Sequence, residues 1–97
     1  MDLDNAAQAL ESLGSPTRLA VFRALVKAGP DGLPVGELQA QLDIPGSTLS
    51  HHISHLVRNE LVDQQRQGRV LRCTANFSSM NELLDFLTRE CCTGSRC

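Results

Sequence analysis

The 97-residue sequence contains no run of about 18 apolar residues, the length a helix needs to cross a bilayer, so no membrane span is expected. Its start, MDLDNAAQAL, is acidic where a secretory leader would be basic. The expected location is therefore the cytoplasm, where thiols stay reduced and clustered cysteines signal metal binding or redox sensing more than structural disulfides. Internal repeats and low-complexity stretches are absent as well. No nucleophile stands beside a base in a catalytic pattern. A Cys-x5-Arg phosphatase or arsenate-reductase loop fails because Cys91 to Arg96 is one residue short and no strand precedes it. The chain is thus not expected to be an enzyme. Its length suits one small domain, the kind that gains support from a partner subunit, a metal or a disulfide.

Excess charge of one sign is also lacking. The net charge is −2 and the pI near 5.8, which argues against a protein coated in nucleic acid. The distribution is uneven, however. Between Ile44 and Ala75 lie Arg58, Arg66, Arg69 and Arg72 against only Glu60 and Asp63, with three histidines; the rest of the chain holds nine acids against five bases. Local charge, not the total, decides where a phosphate backbone can dock.

What is present is mostly helical periodicity. Leu3, Ala6, Ala7 and Leu10 recur at helical spacing and Gly14 ends that segment. Ser15-Pro16 has the form of an N-cap followed by proline at the first helical position. Leu19, Phe22, Leu25 and Val26 should give the second helix its buried stripe, with Gly29-Pro30-Asp31-Gly32 as the stop. VGELQAQL (35–42) predicts a short helix with Val35, Leu38 and Leu42 inward. After the turn 43–46, a further helix is expected from about Pro45 to Asn59. Leu61-Val62 and Val70-Leu71 predict a two-stranded hairpin with Gly68 in its turn. Phe77, Met80, Leu83, Leu84 and Leu87 mark a last helix ending near Glu90. The order α-α-α-α-β-β-α makes the chain mainly α with a small β-hairpin.

Two short helices followed by an arginine-bearing hairpin suggest a winged helix-turn-helix. On a helical wheel Leu49, Ile53, Leu56 and Val57 fall on one side, while Ser47, His51, Ser54 and Arg58 point the opposite way with Thr48 and His55 beside them. His52 lies nearer the apolar edge. The outward face carries hydroxyls, imidazoles and a guanidinium but no acid, a set able to meet base edges in a major groove. A solvated helix face would look the same from composition alone; the neighbouring hairpin, with Arg66 and Arg69 at its tip, favours nucleic acid. His51 and His55 have zinc-compatible spacing but lack a third ligand.

SPTRLAVFRAL (15–25), STLSHHISHLVRNELV (47–62) and RQGRV (66–70) together resemble the ArsR/SmtB family of winged helix-turn-helix regulators, in the right order and over about residues 3–90. The resemblance implies a homodimer through the first and last helices, the helix 45–59 in the major groove, and a repressor that leaves DNA when an inducer binds. The residues agree on dimerisation, since the apolar faces of the outer helices exceed what a core this small needs. The implied partner is double-stranded DNA carrying an inverted repeat, with recognition helices about 34–36 Å apart. Thr48, Ser50 and His51 are then the leading base readers, with Ser47 and Ser54 beside them. Arg58, Arg66 and Arg69 would hold phosphate or minor groove. The sequence departs from the family in its ligand positions: VGELQAQL has no cysteine pair, NELLDFLTRE has no histidine, and Cys73 stands where many relatives carry tyrosine.

The remaining ligands are in the tail, ECCTGSRC, which divides the chain into a domain 1–90 and a cysteine-rich segment 91–97. A thiolate cluster without histidine selects soft ions. Trivalent arsenic or antimony bonds three sulfurs in a pyramid, and Cys91, Cys92 and Cys97 supply three within seven residues. Zinc would want a fourth ligand. Cadmium, lead, copper, or a thiol redox or persulfide signal remain alternatives. A helix C-terminus raises a cysteine pKa, which counts against a catalytic nucleophile. Some relatives in the family resemble this chain in binding arsenite through cysteines at the end of the last helix. Cys73 is expected to pack in a strand.

Overall fold

The computed structural model describes residues 1–94. Helix α1 (Leu3–Leu13) starts at Asp2, whose side chain accepts the Asn5 N–H at 2.8 Å, a cap the periodicity did not signal. Its buried face is unusually small: Ala6, Ala9 and Ser12. Helix α2 (Pro16–Ala28) begins as expected, with Ser15 Oγ accepting the Arg18 N–H and Pro16 in the first turn. It ends at Gly29, whose N–H donates to the Leu25 and Val26 carbonyls at φ +81. The stripe on α2 is narrower than the sequence suggested. Val21, Phe22 and Leu25 are buried, but Leu19 is 41% exposed and belongs to the surface.

Strand β1 (Leu33–Pro34) then leads directly into α3 (Val35–Leu42), followed by α4 (Gly46–Arg58), β2 (Val62–Gln67), β3 (Val70–Ala75) and α5 (Phe77–Thr88). The expected hairpin is present, with Gln67 opposite Val70 and Gly68-Arg69 as the two-residue turn. It is, however, part of a three-stranded antiparallel sheet in the order β1-β3-β2. Leu33 pairs with Cys73 and Pro34 with Arg72. That third strand is two residues long and half proline, so no alternation could announce it; it forms because β3 offers a free edge.

Gly32 makes this pairing possible. Its φ is +64, and a Cβ there would stand 1.9 Å from the Cys73 carbonyl oxygen. Only glycine lets the chain pass that close to β3. The core lies beneath: Leu25 from α2, Leu38 from α3, Leu49, Ile53 and Leu56 from α4, then Leu61, Val62 and Cys73. Leu83 is the buried residue of α5, which is capped by Asn76 and stops at Thr88, two residues before the expected end. The result is a winged helix-turn-helix: α3 and α4 are the helix pair, and β2–β3 is the wing.

Candidate nucleic-acid interface and cysteine tail

The apolar side of α4 is buried through Leu49, Ile53 and Leu56. That fixes the rotation of the helix and turns Ser47, Thr48, Ser50, His51, Ser54 and Arg58 to the exterior, all of them exposed. Pro45 precedes α4, and no side-chain cap bonds its first turn. The N-terminal amides of a helix attract anions when left open to solvent. On the wing, Arg66 is paired with Leu71 and Arg69 occupies the turn; both side chains are exposed. Arg72 differs from them. Its Nε donates to Gln67 Oε1 at 3.1 Å and its Nη1 to the Asp31 carbonyl at 3.0 Å, so it braces the wing against the α2–β1 loop. Arg58 also borders a polar cavity of about 390 Å3 shared with Asn5, Gln8, Glu60 and Glu82.

The histidines separate into three environments. His51 is exposed on the outward face. His52 is half-buried, its Nδ1 enclosed without a hydrogen-bond partner; desolvation, and then the positive charge of Arg18 and the neighbouring His51 and His55, push its pKa down. His55 is not beside the outward set, as the wheel had it. Its Nδ1 lies 2.9 Å from Ser12 Oγ on α1, and Asn59 Nδ2 approaches the same nitrogen at 3.4 Å. His51 and His55 thus stand in different surroundings, one open to solvent and one against α1. Among the described residues no three His, Cys, Asp or Glu side chains gather as a metal site.

Cys73 is buried in β3, and burial raises its thiol pKa despite the Gln64 N–H it accepts at 3.6 Å. This is the packing role expected for it. In the tail, Cys91 and Cys92 follow α5 in turns, both exposed, with their sulfurs 3.3 Å apart. Cys91 is a free thiol, while Cys92 is disulfide-bonded, where the sequence reading had reduced thiols. Glu90 and Cys92 both adopt positive φ, +61 and +66, which turns the chain sharply past the helix end. Cys97 lies outside the described residues.

On α1, Leu3 and Leu10 are 72% and 44% exposed, and on α5 Leu84 and Leu87 are each 53% exposed. Ala7 sits between the first pair on the same helical face. The outer helices thus carry leucines that the monomer does not cover. A partly apolar surface on two adjacent helices is the usual signature of an association surface.

Comparison with known proteins gives a consistent picture. A family model described as a helix-turn-helix domain matches residues 13–65. The chain is similar to the transcriptional activator HlyU of Vibrio cholerae, 26% identical over 95 residues, which cover 95% of this chain and 85% of the relative. A solved structure of reduced HlyU from the same organism superposes with a TM-score of 0.70, at 26% identity over 92% of this chain and 90% of that one. The transcriptional repressor BigR from Xylella fastidiosa superposes with a TM-score of 0.72, at 26% identity over 92% of this chain and 88% of that one. An ArsR-like regulator from Rhodococcus sp. RHA1 shares the fold, with a TM-score of 0.77 at 22% identity over 89% and 78%. All three are transcription regulators, in line with the expectation of a non-enzymatic chain. No described helix is long and apolar enough to cross a membrane.

Proposed function

The chain belongs to the helix-turn-helix domain family, whose model matches residues 13–65, and from that premise we propose that it is an ArsR-type transcriptional repressor that binds operator DNA as a homodimer and releases it when trivalent arsenic binds Cys91, Cys92 and Cys97. The observation that carries the DNA-binding part is the outward face of α4, whose Ser47, Thr48, Ser50, His51, Ser54 and Arg58 are exposed and include no acid, together with the exposed Arg66 and Arg69 of the wing. Thr48, Ser50 and His51 read base edges, with Ser47 and Ser54 adjacent. Arg58, Arg66 and Arg69 hold phosphate or minor groove and make the affinity salt-dependent. Leu3, Leu10, Leu84 and Leu87 supply the dimer surface, so that two α4 helices meet successive major grooves.

The inducer assignment rests on donor chemistry. With Cys92 reduced, the tail offers three soft thiolates within seven residues and no imidazole. Cys91 and Cys92 lie in turns directly after α5, so an ion held there grips the end of the dimerisation helix. Reshaping that end changes how the two subunits meet and disturbs half-site spacing. A coupling of about 1–3 kcal/mol weakens DNA binding by about 5–150-fold. That placement is also why the proposed regulator is a repressor, the inducer acting against DNA.

A second reading is release by thiol oxidation. It is favoured by the disulfide bonding of Cys92, since oxidation of that thiol takes one sulfur out of the ligand set. One titration series separates the two. DNA release by arsenite, antimonite, cadmium, zinc and a disulfide oxidant is measured for the parent and for Cys92→Ser. Arsenite should release the reduced parent and spare Cys92→Ser. Equal release of both removes the tail as sensor, and release by oxidant alone establishes the second reading.

A further inference from the structure

Ser12 is the sole fully polar residue buried among the described residues. It interrupts the small apolar face that α1 turns to the core after Ala6 and Ala9. A hydroxyl placed there needs a partner, and it has His55 of α4 at 2.9 Å across 43 residues of sequence. Two further bonds hold the pair. Arg18 Nε donates to the Ser12 carbonyl at 2.6 Å, fixing the end of α1, and Asn59 Nδ2 donates to the His55 carbonyl at 2.8 Å, fixing the end of α4. Asn59 also approaches His55 Nδ1 at 3.4 Å. Asn59 Nδ2 can only donate, so its approach suits the His55 tautomer in which Nδ1 accepts and Ser12 donates. In that tautomer Nε2, 3.9 Å from the Glu11 carboxylate, carries the proton.

These contacts join the two helices whose relation matters most for reading an inverted repeat. Helix α1 bears Leu3 and Leu10 of the proposed dimer surface, and α4 bears the proposed base readers. Apolar packing between them is non-directional and tolerates small rotations, whereas a hydrogen bond does not. We propose that Ser12 and His55, braced by Arg18 and Asn59, form a positioning clamp that locks the rotation of α4 against the dimerisation helix and thereby sets the spacing of the two half-sites. His55 is then a positioning residue that does not touch DNA. The clamp rests on the DNA-binding reading above and adds to it a requirement for sequence-specific, but not for non-specific, binding.

The test uses a duplex enriched by the parent protein from a random pool, and a scrambled duplex of the same composition. Affinities of the parent, Ser12→Ala, His55→Leu, the double variant and His55→Asn are measured for both, over a range of salt. For the selected duplex, Ser12→Ala and His55→Leu should each weaken binding about 5–20-fold, and the double variant no more than the weaker single, because contacting residues are strongly non-additive. Binding to the scrambled duplex and the salt slope should match the parent, since no phosphate contact is lost. His55→Asn keeps an acceptor at the Nδ1 position and should stay within about two-fold of the parent. Additive losses, equal losses on both duplexes, or a His55→Asn variant as weak as His55→Leu would each overturn the clamp. A parent that enriches no duplex would instead defeat the DNA-binding reading, and the clamp with it.

Discussion

Replacing Leu84 and Leu87 with alanine probes the dimer where the geometry is simplest. Each side chain is 53% exposed in the single subunit, so roughly half of its transfer free energy is still available for association. Full burial of a leucine contributes about 1.5–3 kcal/mol, giving about 0.8–1.6 kcal/mol per side chain here. A two-fold interface uses each residue twice, so four side chains are lost and the sum is about 3–6 kcal/mol. That corresponds to a dimer dissociation constant raised about 10²–10⁴-fold. The folded subunit should be little affected, because Leu83, not its two neighbours on the outer face, fills the core beneath α5. Sedimentation equilibrium over a concentration series, with circular dichroism as a control on fold, measures both quantities. A variant that associates like the parent, with its helix content intact, would refute the assignment of these leucines to a subunit interface.

Other consequences are equally specific. Gly32→Ala puts a Cβ into the Cys73 carbonyl oxygen at positive φ, so it should cost at least about 2–3 kcal/mol and show as a clear drop in Tm. His52 titrates below the ordinary histidine range, so as pH falls the unfolded chain takes up this proton before the folded one does. Stability should therefore decline as pH drops below about 6.5, and His52→Gln should flatten that part of the pH–stability curve; an unchanged slope refutes the assignment. Cys73 is buried with its pKa raised, so under native reducing conditions alkylation should modify Cys91 at least ten-fold faster, by about the ratio expected of exposed over buried thiols. Peptide mapping by mass spectrometry after timed quenching reads the ratio, and comparable rates would contradict the strand packing of Cys73.

Much of the fold could be read from local chemistry. Ser15-Pro16 announced the start of α2 and Gly29 its end, and the wheel of α4 separated Leu49, Ile53 and Leu56 from the exposed Ser47, His51 and Ser54. These features are governed by interactions within one helical turn or one face, where spacing is sufficient. Three others depend on distant partners. Strand β1 is a consequence of the open edge of β3, and Leu19 stays exposed because no described neighbour covers it. His55 is turned inward by a serine 43 positions away. On a wheel its azimuth lies between the two faces, and only the hydroxyl on α1 decides the side it takes. A buried serine within an alanine-rich helix face is the one signal that could have pointed to it.

The candidate site divides the same way. The exposed face of α4 and the wing arginines were legible because they are the complement of the core. The cysteine tail was legible as donor chemistry but not as geometry, because its placement depends on turns at Glu90 and Cys92 that no periodicity encodes.

The measurement that bears most directly on the central claim is enrichment of duplexes from a random pool by the reduced protein, followed by sequencing. Two α4 helices on a symmetric dimer require an inverted repeat whose half-site centres lie about 10–10.5 base pairs apart, or a multiple of that spacing. Recovery of such a repeat, lost when Thr48 and His51 are replaced by alanine, is the expected result. Recovery of no common sequence, or of isolated half-sites without fixed spacing, would contradict a dimeric repressor reading DNA through α4.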